Sequence, residues 1–382
     1  MPDTHPPPDA DERPRPSWLP GLELCRALYT EAVRPLLDRA LPRLRYAAAR
    51  VGTGSDVLGY DTERSTDHEW GPRLTLFLTP ADRAAHQERL HELFAAELPR
   101  TVRGWSTHYV RSPREPHVRT LAPPPATGPV HHLVEVAELG EWLTDTLALD
   151  PRQAELTCVD WLGIPAQRLL EVTAGAVFHD GLGELTAVRR RLARYPDQVL
   201  RYVLAAQWQR VHEEEPFVGR AAEAGDDTGS RVVAARLARE LMRLALLLAG
   251  RYPPYSKWLG TAFATLPEAG PLARALRDLL AAPDAEARPR ALAQALTAAA
   301  ELHNATGLTA PLDTSCRPFH RRPYPVLDAQ RFAEALRATL RDPVLRRLPP
   351  VGSVDQFADS TALLVDPWRA RAAARAVLTP ER

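Results

Sequence analysis

Two acids one residue apart, Asp67 and Glu69, follow the pair Gly54-Ser55 after a spacer of eleven residues and precede the apolar run Arg73 to Leu78. On extended backbone, side chains two apart share a face at a spacing of about 6.8 Å. They repel each other unless a cation lies between them. Magnesium suits that demand, because it takes oxygen ligands and keeps several waters and phosphate oxygens in its shell, so a protein need supply only two or three carboxylates. Two such ions about 4 Å apart activate an attacking oxygen and neutralise a leaving pyrophosphate. Gly54-Ser55 completes the set, since a glycine turn offers backbone N–H groups, close approach and a hydroxyl to the β- and γ-phosphates of a triphosphate. Arg64 and Arg73 flank the acids. Two readings stand for them, as guanidinium forks for phosphate oxygens or as surface ion partners of Asp67 and Glu69. The chemistry these residue types suit is metal-assisted phosphoryl or nucleotidyl transfer.

Positioning those residues requires strands and a helix around them. "RYAAARVGTGS" predicts a short strand running into the glycine turn, and "RLTLFL" alternates as a strand does. The acids fall at the start of that second strand, where Gly71-Pro72 interrupts the ladder because proline has no N–H to donate. His68 falls on the opposite face of an ideal strand and is read as a structural hydrogen-bonding residue. Upstream, Leu22, Cys25, Leu28, Val33, Leu36 and Leu37 recur at helical spacing from Trp18 to about Leu41, with Pro35 as a kink. Thr79-Pro80 opens a helix, threonine as cap and proline in the first turn. "WSTHYVR" and "HHLVEVAEL" predict two further strands on either side of the loop "LAPPPATGP".

After about residue 140 the strand pattern ends. Helical periodicity marks 152–162, 166–172, 185–195, 197–213, 230–251, 272–280, 291–302, 331–340 and 367–377, with Pro or Gly between most of them. The expected architecture is an α/β (α+β) domain with a small mixed sheet, residues 18–150, followed by an all-helical domain, residues 151–382. A proline-rich arm, residues 1–17, precedes both.

Composition sets limits on function. The chain of 382 residues has 48 basic and 48 acidic side chains and no net charge, so neither a general nucleic-acid binder nor a membrane-surface protein is expected. Cys25, Cys158 and Cys316 lie far apart, without the spacing of a zinc site or a disulfide framework. The proline-rich start lacks the apolar core of a signal peptide, and "LMRLALLLAG" is too short to span a bilayer. A cytoplasmic protein with reduced thiols is the expectation. Lys257 is the only lysine, so where arginine fills every other cationic position, a compact ammonium asks for a reason.

Gly54-Ser55, the eleven-residue spacer and Asp67-His68-Glu69 resemble the signature of the DNA polymerase beta nucleotidyltransferase superfamily. That resemblance covers about residues 45–140. It implies a nucleotidyltransferase fold, a nucleoside triphosphate held at Gly54-Ser55, and two magnesium ions held by Asp67 and Glu69. A third acid on a later strand is also implied, and Glu135 in Val134-Glu135-Val136 is the residue that fits. It would complete the metal set and orient or deprotonate the acceptor hydroxyl; the other reading of Glu135 is an ordinary outward-facing strand residue. The stretches "GSDVLGYDTERSTDHEWGPR", "DWLGIPAQRLLEVTAGAVFHD", "EEEPFVGRAAEAGDDTGSR" and "YPPYSKWLGTAF" further resemble a bacterial domain family of unknown function, numbered 4037 and classed as nucleotidyltransferase-like.

In the helical half, the resemblance implies an acceptor-binding role with an acid as base, for which Glu214 and Glu215 are candidates. Arg220 and Arg231 are candidates for facing the nucleotide, and Asp227 or Thr228 for capping the following helix. Lys257 among Tyr252, Tyr255 and Trp258 suits phosphate contact or stacking over rings, the alternative being a rigid aromatic loop. His179-Asp180 reads as a turn. The expected activity is magnesium-dependent transfer of a nucleoside monophosphate, from ATP or another triphosphate, to the hydroxyl of a small molecule, protein or RNA. The alternative is the same fold kept as a catalytically inactive nucleotide-sensing or protein-interaction module.

Overall fold

The computed structural model describes residues 16–67, 69–113 and 115–379. His68 and most of the proline-rich arm lie outside the described residues. The chain divides into two compact units, one of residues 1–139 with 174–186, the other of residues 140–173 with 187–382.

The first unit is built on a four-stranded mixed sheet. Its strands in chain order are β1 (Ala47–Arg50), β2 (Arg73–Leu78), β3 (Leu133–Glu138) and β4 (Ala176–Asp180). Their spatial order is β3-β2-β1-β4, with β2 and β3 parallel and the other pairs antiparallel. The parallel pair needs a long crossover, and the Pro80–Glu97 helix lies within that connection. Thr79 caps that helix as its sequence predicts, its hydroxyl accepting the Asp82 N–H at 3.1 Å. Alternation in β2 sends Leu74, Leu76 and Leu78 to one face, where they form a core with Ala48, Val134, Leu24, Leu28, Leu37, Leu90 and Phe94. The register sets Ala49, Thr75 and Glu135 beside one another on the other face.

The N-terminal helix begins at Gly21 and runs to Ala40 with a π segment, Tyr29–Val33, in its middle. Pro35 lacks the N–H that would reach the Glu31 carbonyl, and the wider π turns stand directly before it. Between the Pro80–Glu97 helix and β3, "WSTHYVR" contributes two short strands, Trp105–Ser106 and Tyr109–Arg111. Each joins its own two-stranded hairpin, with Thr101–Val102 and Arg119–Leu121 respectively.

Three expectations are corrected. Strand pattern was expected to end near residue 140, yet Ala176–Asp180 forms the β4 edge of the first sheet, so the unit closes with residues 174–186 instead of at residue 150. Gly175 makes that return possible. Its φ of +74° favours glycine, its N–H bonds the Val57 carbonyl at 2.8 Å, and a Cβ there would lie 2.1 Å from the Arg50 carbonyl oxygen. His179-Asp180 is accordingly strand, with Asp180 accepting the N–H groups of Gly183 and Thr186 in the turn that follows. The helix expected over 152–162 begins at Cys158, because Thr157 and Asp160 form a reciprocal capping box.

The second unit is mostly helical, and its long helices follow the predicted spans closely: Asp197–Glu214, Asp227–Leu248, Gly270–Ala281, Ala287–Ala305, Gln330–Ala338 and Pro367–Leu378. Trp208, fully buried, stacks on Phe332 at 4.6 Å between ring centroids and donates to His303 Nδ1 at 3.1 Å. Burial pushes that imidazole down to about 4, so it stays neutral and accepts the bond. Glu215, also buried, accepts the backbone N–H groups of Leu327 and Ala329 at 2.8 and 2.9 Å and ties a distant loop to its helix end. No helix among the described residues is long and apolar enough to cross a membrane.

Gly175→Ala is expected to destabilise the first unit by roughly 2–4 kcal/mol, through left-handed strain and overlap with Arg50 backbone, seen as a lower urea midpoint. Glu215→Ala should cost about 3 kcal/mol or more by orphaning two buried N–H groups, while Glu215→Gln, which retains one acceptor oxygen, should lose less; equal losses in the two variants would refute the anchoring role.

Candidate functional site

The glycine turn is assembled around one carboxylate. β1 ends at Arg50, the chain turns through Gly52 (φ +88°) and Gly54 (φ +136°), and Ser55–Leu58 forms a single helical turn. Asp56, 1% exposed, points back toward the strand end. Arg50 grips it with two bonds, Nε to Oδ2 at 2.7 Å and Nη2 to Oδ1 at 2.9 Å. The same guanidinium donates to the carbonyls of Val51 and Thr53, each at 2.6 Å. Arg73, the first residue of β2, reaches Asp56 Oδ1 with Nη2 at 3.2 Å. Burial alone would raise the Asp56 carboxyl, but the charges and hydrogen bonds of Arg50 and Arg73 outweigh it and hold the group below the usual carboxylate range.

Glycine at position 54 follows from this crowding. A Cβ there would lie 2.2 Å from Asp56 Oδ1, 2.5 Å from Arg50 Nη2 and 2.8 Å from Arg73 Nη2. Any side chain would overlap the carboxylate and both guanidiniums. Two further polar atoms beside the cluster are buried without a hydrogen-bond partner among the described residues, Arg73 Nε and the Tyr109 hydroxyl. The Tyr109 hydroxyl lies against Gly71, 2.5 Å from where a Cβ would stand. Burial keeps the Tyr109 phenol protonated, far above its ordinary range. Cys25 donates to the Gly71 carbonyl at 3.4 Å, and burial, reinforced by the charge of Asp56, pushes its thiol up to about 11. It is therefore a structural thiol and not a nucleophile.

The acids singled out in the sequence are not at the start of the strand. Asp67 ends a 3-10 turn, Glu63–Asp67, and is exposed. Glu69 stands in left-handed backbone, φ +43°, with its N–H bonded to the Arg119 carbonyl at 2.8 Å. β2 begins only at Arg73, after Gly71 (φ +133°) and Pro72, because proline has no N–H to offer the ladder. Glu69 Oε2 lies 4.0 Å from Arg73 Nη1. Glu135 is exposed on β3, on the same sheet face as Arg73 and Thr75. Arg73 is thus the hub: it touches Asp56, approaches Glu69 and shares a face with Glu135. Among the described residues no group of three or more His, Cys, Asp or Glu is arranged to hold a metal ion, so the expected set of Asp67, Glu69 and Glu135 does not fit a two-magnesium centre in this arrangement. Arg64 is exposed on the 3-10 turn.

The candidates of the second unit have local partners. Glu214 pairs with Arg236 at 3.0 Å. Both oxygens of Glu215 accept backbone N–H groups, which leaves it an anchor and unsuited to act as a base. Arg231 binds Asp227 at 2.7 Å and the carbonyls of Ala282 and Pro283, a structural tie. The cap of that helix is Asp226, whose side chain accepts the Gly229 N–H, one residue before the predicted Asp227 or Thr228. Arg220 lies over the Phe217 ring at 5.6 Å and Lys257 Nζ over the Trp258 ring at 4.9 Å. Tyr255 is 40% exposed.

Arg50 and Asp56 were not singled out from the sequence. A signal was present: a single cation closing the run Ala47-Ala48-Ala49, and an acid immediately after Gly54-Ser55. Neither means anything until the turn brings them together.

No curated protein matches the chain. Among solved structures it is similar to a nucleotidyltransferase-like protein from Exiguobacterium sibiricum 255-15, at 14% identity and a TM-score of 0.31, over 84% of this chain and 93% of that one. The model of the family described as "Domain of unknown function (DUF4037)" matches residues 161–259. That segment takes in most of three of the four stretches that carry the resemblance, so residues 161–259 bear the likeness to family 4037 that the sequence suggested, while the Gly54–Arg73 stretch lies outside it.

Proposed function

We propose that the first unit binds a nucleoside triphosphate at the Gly54-Ser55 turn and transfers its nucleoside monophosphate to a hydroxyl acceptor in the cytoplasm. One observation carries this reading: Arg73 sits beside a glycine that no side chain could replace, with a buried Nε lacking a partner among the described residues. A guanidinium so placed matches phosphate oxygens, and a glycine turn without a Cβ suits close approach of a triphosphate to its backbone. In the reaction the acceptor oxygen attacks the α-phosphorus, the bond from that phosphorus to the bridging oxygen breaks, and pyrophosphate leaves with the electron pair. Arg73 would offset the charge gathering on the leaving group. Glu135, exposed on the same sheet face, would take the proton of the attacking hydroxyl. Magnesium enters this proposal as the counter-ion that a triphosphate carries. In the second unit Lys257, Tyr255 and Arg220 are exposed.

A second reading is favoured by the dispersal of the three acids: a module that binds nucleotide and signals without turnover. The two separate in one assay. Protein incubated with labelled triphosphates, magnesium and a pool of metabolites, proteins or RNA should label an acceptor and release pyrophosphate. Arg73→Ala should weaken triphosphate binding by about tenfold or more. Glu135→Gln should lower transfer by about 100-fold or more with binding within twofold. Tight binding without turnover across the pool selects the second reading, and no binding at all rejects both.

A further inference from the structure

We infer that Arg50 is a positioning residue for the nucleotide turn: by taking the Asp56 carboxylate into a two-pronged ion pair, it leaves Arg73 free to meet a phosphate. The inference rests on the triphosphate-binding reading above and deepens it. One buried carboxylate stands between two guanidiniums, and their shares are unequal. Arg50 makes two bonds to it, at 2.7 and 2.9 Å, and Arg73 makes one longer bond, at 3.2 Å. Arg50 directs its remaining bonds to Val51 and Thr53, within the turn itself. At 6% exposure it is closed to a ligand. The Arg73 side chain is 13% exposed, keeps an Nε without a partner among the described residues, lies with Nη1 4.0 Å from the half-exposed Glu69 carboxylate, and stands beside Gly54, where a Cβ would fall 2.8 Å from its Nη2.

Electrostatics gives the direction. A carboxylate at 1% exposure cannot remain ionised without a cation against it. With Arg50 gone, Arg73 is the one guanidinium among the described residues bonded to Asp56, and the carboxylate would draw it into full pairing. Removing the Asp56 charge as well would abolish that pull. A residue that merely supports the fold would also be rescued by the double change, since removing both partners of a buried pair relieves the orphaned charge, but its losses of affinity would track the melting temperature, whereas a positioning residue loses affinity in a variant that melts like the wild type.

The test uses the full chain and measures binding of inorganic tripolyphosphate and of β,γ-imido triphosphate analogues by calorimetry, with thermal melts alongside. Arg50→Gln should weaken binding by about tenfold, and Arg50→Gln combined with Asp56→Asn should recover it to within about threefold of Asp56→Asn alone. Unchanged affinity in Arg50→Gln, or a double variant as weak as Arg50→Gln, would overturn the role of Arg50 and leave the binding reading intact. If Arg50→Gln alone does not fold, Asp56→Asn and the double variant carry the comparison: equal affinities uphold the inference and a tenfold loss in the double overturns it. A wild-type chain that binds neither probe rejects the triphosphate reading itself.

Discussion

The first unit's site depends on a single buried anion, Asp56. Its carboxylate draws the end of β1 through Arg50, the start of β2 through Arg73 and the glycine turn between them into one cluster. Breaking a buried pair of this kind costs about 3–5 kcal/mol, comparable with much of a domain's net stability. Once the pair is formed, the conformation of the turn has few alternatives. Gly54 must stay bare at φ +136° because three polar atoms close on the place where a Cβ would stand. The same electrostatic arrangement sets two guanidiniums against one buried carboxylate, with Glu69 Oε2 at 4.0 Å from Arg73 as the second anion.

The acids of the neighbouring loop are held less firmly by the architecture than their spacing suggests. Asp67 and Glu69 lie on a 3-10 turn and on left-handed backbone ahead of Pro72, so neither inherits the fixed outward direction that a strand would impose. Glu135 does inherit it, through register with Thr75. The face shared by Arg73, Thr75 and Glu135 is therefore the part of the site whose geometry the sheet itself determines, and the proposed transfer chemistry is assigned to it for that reason.

The second unit shows another use of buried charge. Glu215 accepts two N–H groups of a loop more than a hundred positions along the chain. Gln207 donates to the Glu240 carboxylate and accepts from Gln356, which also reaches the Val203 carbonyl. Such contacts join particular positions of separate helices. They convert a set of amphipathic helices, which could pack in several ways, into a specific one. Reading Glu215 as a base overlooked this, because an acid at a helix end looks unfavourable until its distant N–H partners are known.

Much of the fold was legible. Leucine alternation in "RLTLFL", the Thr79 cap and the helical periodicities of the second half act over a few residues, so local propensity and pattern suffice to place the elements. The sequence by itself determined those elements, the mixed α/β character of the first part, the helical second part and the glycine turn. Tertiary structure alone decided that Ala176–Asp180 returns to edge the first sheet, that Arg50 and Arg73 converge on Asp56, and that Asp67 and Glu69 fall short of the strand. The physical reason is range: helix and strand patterns are written in neighbours, whereas a buried charge is stabilised by whichever opposite charge the folded chain brings to it, and that identity is written in no local stretch.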